Sequence, residues 1–553
     1  MKEVRPPIIP IVRSLLIDYW RDARGTTIIV ILVTLIGASA SIATPYLFSY
    51  AVDELSRATD AGVALETLLL YAVVFGVAAA FSQASRFLIF MCAERLCFVA
   101  NLAFFVRLLR KTHTFFLNHS ATEIGAARQQ GEQTLNIITE LIVGGLLPGF
   151  VQITLSAALL AHLVSWEIAL IVLAYGVIVI VLDYVRVGRV NLFLDAATER
   201  SQENASLVGN AVTIIDTLRQ TRGESWMTAR FAKGAADAYI NWRRYALVSS
   251  GFSIILGMVA SLQLAVTFLI LVPRYQAKFL SIGDIVLFNT LLIQLNEPFH
   301  LVGMAIKETV EAAARFRPLA KMWIASEAAE PANAVSYHPS QGSLAFENVS
   351  FRYPNGRGIS NLSFTVRRGT PTFLVGETGS GKSTVLRLLL KGLEPTEGRI
   401  LADEADIARI TSDDWFAHIG VVPQDVTLLN DTLLVNIVLG RPFDPDRLRK
   451  VAKEASILSR IDAMPQGFET IVGERGMKLS GGERQRIAIA RALYGEPAIL
   501  VFDEAGSALD DDTEQQIMDG LRDLAGELTI VAVTHRMSSI RPGDQIVRLS
   551  RHF

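Results

Sequence analysis

The chain has 553 residues, 51% of them hydrophobic and 19% charged, with a formal net charge of −2. Such a length accommodates two or more separately cored domains, and the near-neutral balance argues against the basic stripe of a nucleic-acid binder. The two cysteines, Cys92 and Cys97, share one apolar stretch, which rules out a disulfide framework and lacks metal-site spacing.

The first residues, MKEVRPPIIPIVRS, lack the apolar core and small-residue cleavage site of a signal peptide. An amphipathic elbow helix is expected over about residues 10–24. Apolar positions there recur at helical spacing beside Arg13, Asp18, Arg21 and Arg24, the pattern of a helix lying on a membrane surface. Six segments then supply the roughly 20 mostly apolar residues that a membrane crossing needs: 26–50, 64–90, 140–163, 167–186, 247–273 and 281–303. Polar stretches with helical periodicity separate the second span from the third and the fourth from the fifth. The spanning helices are therefore expected to continue into the cytoplasm and turn there, in short helices near 115–120 (FFLNHS) and 221–226 (TRGESW).

Arg107, Arg110, Lys111, Arg128, Arg189, Arg219, Arg222, Arg243 and Arg244 fall on the side of the long polar stretches; only Arg57, Arg274 and Lys278 lie opposite. Basic residues mark the cytoplasmic side, so both termini are expected there, in a multi-pass protein of the bacterial inner membrane. Polar residues within the spans are the clues to cargo: Gln152, Gln263, Asn289, Gln294 and Glu297. These either touch cargo or hydrogen-bond between helices. Asn289, Gln294 and Glu297 are spaced to share a broad face of the sixth helix. Arg86, Asp183 and Arg186, nearer the inner boundary, are expected to face water.

KETVEAAARFRPLAKMW continues the sixth helix out of the membrane, and 326–343 is a linker of small residues and proline. Strand-like alternation begins at LAFENVSFRY. The expected organisation is thus an all-α six-helix membrane domain over 1–325, a linker over 326–343, and an α/β phosphate-loop domain with a helical subdomain over 344–553.

FLVGETGSGKST runs from an apolar strand through a glycine-rich loop into a helix, the context that a phosphate-binding loop requires. Gly376, Gly379 and Gly381 permit the tight turns; Thr378, Ser380, Ser383 and Thr384 complete the loop and helix start, with backbone N–H groups facing phosphate. Lys382 would reach the β- and γ-phosphates, and the Ser383 hydroxyl would ligate Mg²⁺. AILVFDE reads as a buried strand ending in two carboxylates, Asp503 for Mg²⁺ and Glu504 to polarise the attacking water. Gln424, after VVP, could reach both metal and water, and His535, after VAVT, could hold the γ-phosphate and Glu504 in register.

These motifs, in this order, resemble the ATP-binding-cassette (ABC) family over the whole chain. LSGGERQRIAIARAL (479–493) matches its signature segment. The resemblance implies that Ser480, Gly481, Gly482 and Glu483 of one copy close over nucleotide held by another, so that a homodimer is the working unit. It also implies that Tyr353 stacks on adenine and that 507–510 (SALD) crosses the dimer interface. TIVGERG (470–476) is similar to a motif of exporters, and with six fused spans it points to an exporter-type half-transporter that works by alternating access. Two departures stand out: Gly506 replaces the usual threonine, and Glu483 stands where glutamine is more frequent.

For cargo, SLLIDYW, FSQASRFLIFM and LLIQLNEPFHLVGMAIKETVEAAARF resemble exporters of lasso-type antimicrobial peptides, and the last also resembles iron–sulfur and glutathione-linked half-transporters. A small peptide is the expected cargo; glutathione conjugates, lipids or hydrophobic small molecules are the alternative. An ATP-gated channel or regulator, or a siderophore importer on the same frame, is the alternative of another class.

Overall fold

The computed structural model describes residues 8–57, 61–328, 330–331, 333–353, 356–473, 476–503, 515, 518–520, 522, 526–534 and 540–550. The chain divides into two compact units, Met1–Arg110 with His119–Ala325, and Lys111–Asn118 with Ser326–Phe553.

The first unit is helical: α1 (Ile8–Arg57), α2 (Ala61–Leu109), α4 (Ala121–Thr139), α5 (Leu147–Leu163), α6 (Trp166–Thr213), α7 (Ile215–Gln220), α8 (Glu224–Gln276) and α9 (Ile282–Ile324). The short α3 (His113–Asn118) belongs to the second unit. Among the described residues six helices are long and apolar enough to cross a membrane, α4 and α5 acting as one through a π-helical segment at Glu140–Leu146. The 53-residue α8 would extend about 80 Å, against a hydrocarbon core of about 30 Å. The long helices therefore project well beyond the bilayer.

Local chemistry sets the helix boundaries. Ser120 and Ser165 cap α4 and α6 by accepting the N–H of Glu123 and Ile168. Ser281 and Asp284 form a reciprocal capping box at the start of α9. The expected elbow and first span join into one helix that breaks helical geometry at Ala23 (φ −126°, ψ 20°). Gln220 ends α7 just before the stretch where a second short helix was expected; residues 221–223 turn instead, with Arg222 left-handed at φ 56°.

Helices α6 and α9 pack closely because small residues let their backbones approach. A Cβ at Gly176 would lie 2.2 Å from the Phe299 ring, and one at Gly303 would lie 2.8 Å from the Asp183 Cβ. Asp183 does not face water. Its side chain is wholly buried, accepting from Arg186 Nε at 2.9 Å and from His300 Nδ1. A carboxylate that lost its hydration in this setting needs such partners. Cys92 and Cys97 are free and buried, and the Cys97 thiol donates to Asn136 Oδ1 at 3.0 Å.

Among the described residues the second unit holds two sheets. One is antiparallel, in the order β2 (Gly358–Val366), β1 (Leu344–Arg352), β4 (Glu397–Ala402), β5 (Ala405–Asp406). The other is parallel, in the order β6 (Ile419–Val422), β7 (Ile499–Asp503), β8 (Thr529–Val533), β3 (Thr372–Val375), β9 (Gln545–Arg548). β3 and β8 are buried at every residue, as strands covered on both faces must be. Helices α10 (Lys382–Leu389), α11 (Ser412–Ala417), α12 (Leu433–Val438), α13 (Pro445–Glu454), α14 (Leu458–Asp462) and α15 (Gly481–Tyr494) also belong to the unit. One apolar cluster joins α12, α13 and α15 to β7 and β8, and a second joins both sheets through Trp415 and Tyr337.

Candidate functional site

In the parallel sheet, chain topology places the glycine-rich loop, Gln424 and Asp503 at the carboxyl ends of β3, β6 and β7. β3 ends at Val375 and the glycine-rich loop follows; β7 ends at Asp503; Gln424 lies two residues beyond β6 and is exposed. Ligand sites form at the carboxyl ends of parallel strands for this reason. Glu504, Gly506, 507–510 and His535 lie outside the described residues.

The loop is shaped by positions that reject a side chain. Gly381 sits at φ +98°, and a Cβ there would lie 2.4 Å from Ile359 Cγ2; at Gly376 it would lie 2.5 Å from the Leu549 carbonyl. Gly379 is left-handed at φ +84°. Helix α10 starts immediately afterwards, with Gly381 as its N-cap. Its first N–H groups have no partner within the helix, which suits an anion.

Lys382 is buried, and its ammonium donates to the carbonyls of Gly376 (2.7 Å) and Glu377 (3.1 Å). Ser380 Oγ is buried with no hydrogen-bond partner among the described residues, a donor held ready for an oxygen ligand. Thr378, Gly379 and Ser383 are exposed, and Thr384 is buried. By donor chemistry, the Ser383 hydroxyl, Gln424 amide and Asp503 carboxylate would supply the hard oxygen ligands that suit Mg²⁺. Tyr353 lies just past β1, half-buried, its ring edge-on to Phe351 with centroids 4.9 Å apart.

Ser480 caps α15, and the capping box is complete. Ser480 Oγ accepts the Glu483 N–H at 3.2 Å, and the Glu483 carboxylate accepts the Ser480 N–H at 2.8 Å. The same carboxylate pairs with Arg460 Nε at 2.6 Å. Glu483 thus orders the start of the signature helix, with Gly481 and Gly482 in its first turn.

Burial pushes the Glu483 carboxyl up, but the Ser480 N–H and the Arg460 guanidinium outweigh this and hold it below its ordinary value. A carboxyl depressed by folding adds stability above its unfolded pKa, about 4.3 for glutamate. That contribution is lost as pH falls through the folded value. Replacing Glu483 with glutamine therefore costs about 1 kcal/mol at neutral pH and flattens the acid side of the melting-temperature profile. Thermal unfolding at stepped pH reads both effects.

The membrane unit contains a cavity of about 460 Å³ lined by Gln152, Gln294 and Glu297 together with Arg86 and several serines. Gln152 Nε2 donates to Ser41 Oγ at 3.3 Å, Gln294 Nε2 donates to the Ser41 carbonyl at 3.0 Å, and Gln294 Oε1 is buried without a partner among the described residues. Arg86 is exposed and bonded to Gln83. Gly144, Gly145 and Gly149 of the third spanning helix also line it, and Gly145 and Gly149 pack against Leu301 and Pro298 of α9. Gln263 and Asn289 lie outside this lining. Gln263 is buried, with Nε2 donating to Thr267 Oγ1 at 3.3 Å on its own helix. The residue that sequence reasoning passed over is His300, half-exposed and tied to Asp183; its only sequence signal was a histidine among apolar residues.

The family model described as "ABC transporter transmembrane region" matches residues 27–299, and that described as "ABC transporter" matches 359–507. An "ATM1-type heavy metal exporter" of Novosphingobium aromaticivorans is 33% identical over 539 residues, covering 94% of this chain and 87% of that protein. The chain belongs to the ABC transporter family.

It is an exporter-type half-transporter in which six apolar helices precede one ATP-binding domain, and it couples ATP hydrolysis to transport. The human "Iron-sulfur clusters transporter ABCB7, mitochondrial" is 28% identical over 549 residues, with 93% of this chain and 71% of that protein covered. A solved "bacterial Atm1-family ABC exporter with ATP bound" superposes with a TM-score of 0.81 at 28% identity, covering 96% of this chain and 94% of that one. These ABC relatives lend no support to the lasso-type peptide cargo expected from sequence.

Proposed function

We propose that this ABC exporter works as a homodimer in the bacterial inner membrane, with both termini cytoplasmic, and moves a small, ionised, tripeptide-like molecule of the glutathione-conjugate class. The observation that supports the cargo class is the polar cavity in the membrane unit. A carboxylate (Glu297), a guanidinium (Arg86) and two primary amides (Gln152, Gln294) line it, a poor lining for a lipid tail and a good one for a zwitterion. Its volume lies within the range of about 300–1,000 Å³ that small-molecule sites occupy. Heavy-metal and iron–sulfur export by the named relatives is compatible with a thiol peptide as carrier.

ATP supplies the work. Lys382 and the loop N–H groups hold its phosphates, and Ser383, Gln424 and Asp503 hold Mg²⁺, which neutralises phosphate charge when bound. Glu504 orients the attacking water, His535 aligns it, and Tyr353 stacks on the base. Ser480, Gly481 and Gly482 of the second copy close the site, so nucleotide binding draws two ATPase domains together. The coupling is one of differential affinity: ATP favours the closed pair, cargo favours the cavity open to it, and hydrolysis resets the cycle.

The test is ATPase stimulation in lipid nanodiscs. Glutathione disulfide and glutathione S-conjugates are expected to raise the rate severalfold, and a lasso peptide is not. Glu297→Gln and Arg86→Gln should each raise the half-stimulating concentration about tenfold, as the loss of one charge-assisted contact predicts. Stimulation by the peptide alone overturns the cargo assignment.

A further inference from the structure

The ATPase unit carries a second feature suited to anions, at the opposite end of β3 from the phosphate loop. The ends of β1 and β2 form the floor of a cavity of about 580 Å³, lined by Ser340, Gln341, Ser343, Thr365, Arg367 and Arg368 together with Leu344, Ala345 and Val366. Strand register explains the hollow. Leu344 pairs with Val366 and Ala345 with Thr365, so Leu344 and Val366 turn into the core while the small Ser343 and Ala345 share the outer face with Thr365 and Arg367.

The polar balance is one-sided. Among the described residues no carboxylate lines the cavity. The nearby Asp403 is committed elsewhere, accepting from the N–H groups of Ser340, Gly342 and Ser343 and from the Ser343 hydroxyl. Those bonds also rigidify the 340–343 turn, where Gly342 is left-handed at φ +65°. Arg367 is exposed and Arg368 half-buried. Neither forms an ion pair among the described residues, and Arg368 Nε is buried there without a hydrogen-bond partner. A guanidinium atom removed from water and left unpaired is costly, and a planar fork of donors suits a bidentate oxyanion.

We infer that this hollow binds a compact, multiply charged oxyanion of the phosphate class, held by Arg367 and Arg368 and separate from the nucleotide site. The β3 strand of Thr372–Val375 sets the two sites about 13 Å apart or more. A soluble phosphate compound and a lipid headgroup share this chemistry.

The experiment uses the full chain in phosphatidylcholine nanodiscs, with EDTA present and saturating ADP occupying the phosphate loop. Pyrophosphate is titrated calorimetrically. One site per chain is expected, with affinity falling as salt rises. Arg367→Gln and Arg368→Gln should each weaken it about tenfold or more, with Arg368→Lys in between, while melting temperature and ATPase activity stay unchanged. Nanodiscs containing phosphatidylglycerol provide the second arm: loss of pyrophosphate binding there assigns the site to a headgroup, and retention assigns it to a soluble anion. Absence of a site tighter than about 1 mM, or binding indifferent to both arginine substitutions, overturns the inference.

Discussion

Replacing Lys382 with alanine is expected to lower kcat/KM for ATP by about two to three orders of magnitude, the effect of removing one preorganised donor from a developing anionic charge. The expectation rests on how this ammonium is held. It is 5% exposed, fixed over the loop by the Gly376 and Glu377 carbonyls, and borne on the first residue of α10. A phosphate entering the loop meets a positive charge already desolvated, so little reorganisation is needed. Alanine removes that charge while leaving the glycine backbone intact, and nucleotide affinity falls along with turnover. Glu504→Gln provides the contrast: turnover should fall by about 10²–10⁴-fold, the usual worth of a general base, with ATP still bound. Phosphate release and equilibrium nucleotide binding, measured on both variants in lipid, separate the two roles. Lys382→Ala hydrolysing within about tenfold of the parent chain would reduce the lysine to a brace for the loop.

Much of this molecule is legible in its sequence because two different periodicities carry it. Long apolar runs announced six spans, and short apolar runs ending in glycine or carboxylate announced the strands that became β3 and β7. The loop at 376–381 was readable to the residue, since Gly376 and Gly381 occupy positions where a Cβ collides with a carbonyl or a side chain. Partnership was harder to read. Periodicity marks which face of a helix is polar without naming what lies across from it, so Asp183 was expected in water and instead sits between Arg186 and His300. Gln263 offered the same signal as Gln294, yet it bonds along its own helix while Gln294 reaches the cavity. Glu483 looked like a departure from pattern; its carboxylate proves to close a cap and pair with Arg460. The hollow at Arg367 and Arg368 left no trace in the motifs, because it arises from strand register and from small residues contributed by a separate turn.

The buried Asp183 cluster carries the largest expected effect on the membrane unit. Asp183→Leu removes the acceptor shared by Arg186 Nε at 2.9 Å and His300 Nδ1, and it forces a larger side chain against Gly303, where α6 and α9 nearly touch. Breaking a buried pair by removing one partner costs about 3–5 kcal/mol, chiefly because the remaining charge is stranded. Asp183→Asn keeps the shape but turns an amide toward two donors, and should cost somewhat less. His300→Gln, at a half-exposed position that water can reach, should cost about 1 kcal/mol. Because the three side chains form one network, the double variant Asp183→Asn with His300→Gln is expected to fall short of the sum of the single effects. Thermal unfolding in nanodiscs, read as the full cycle of single and double variants, measures that coupling. Strict additivity would mean that Asp183 and His300 act independently and that Arg186 alone satisfies the carboxylate.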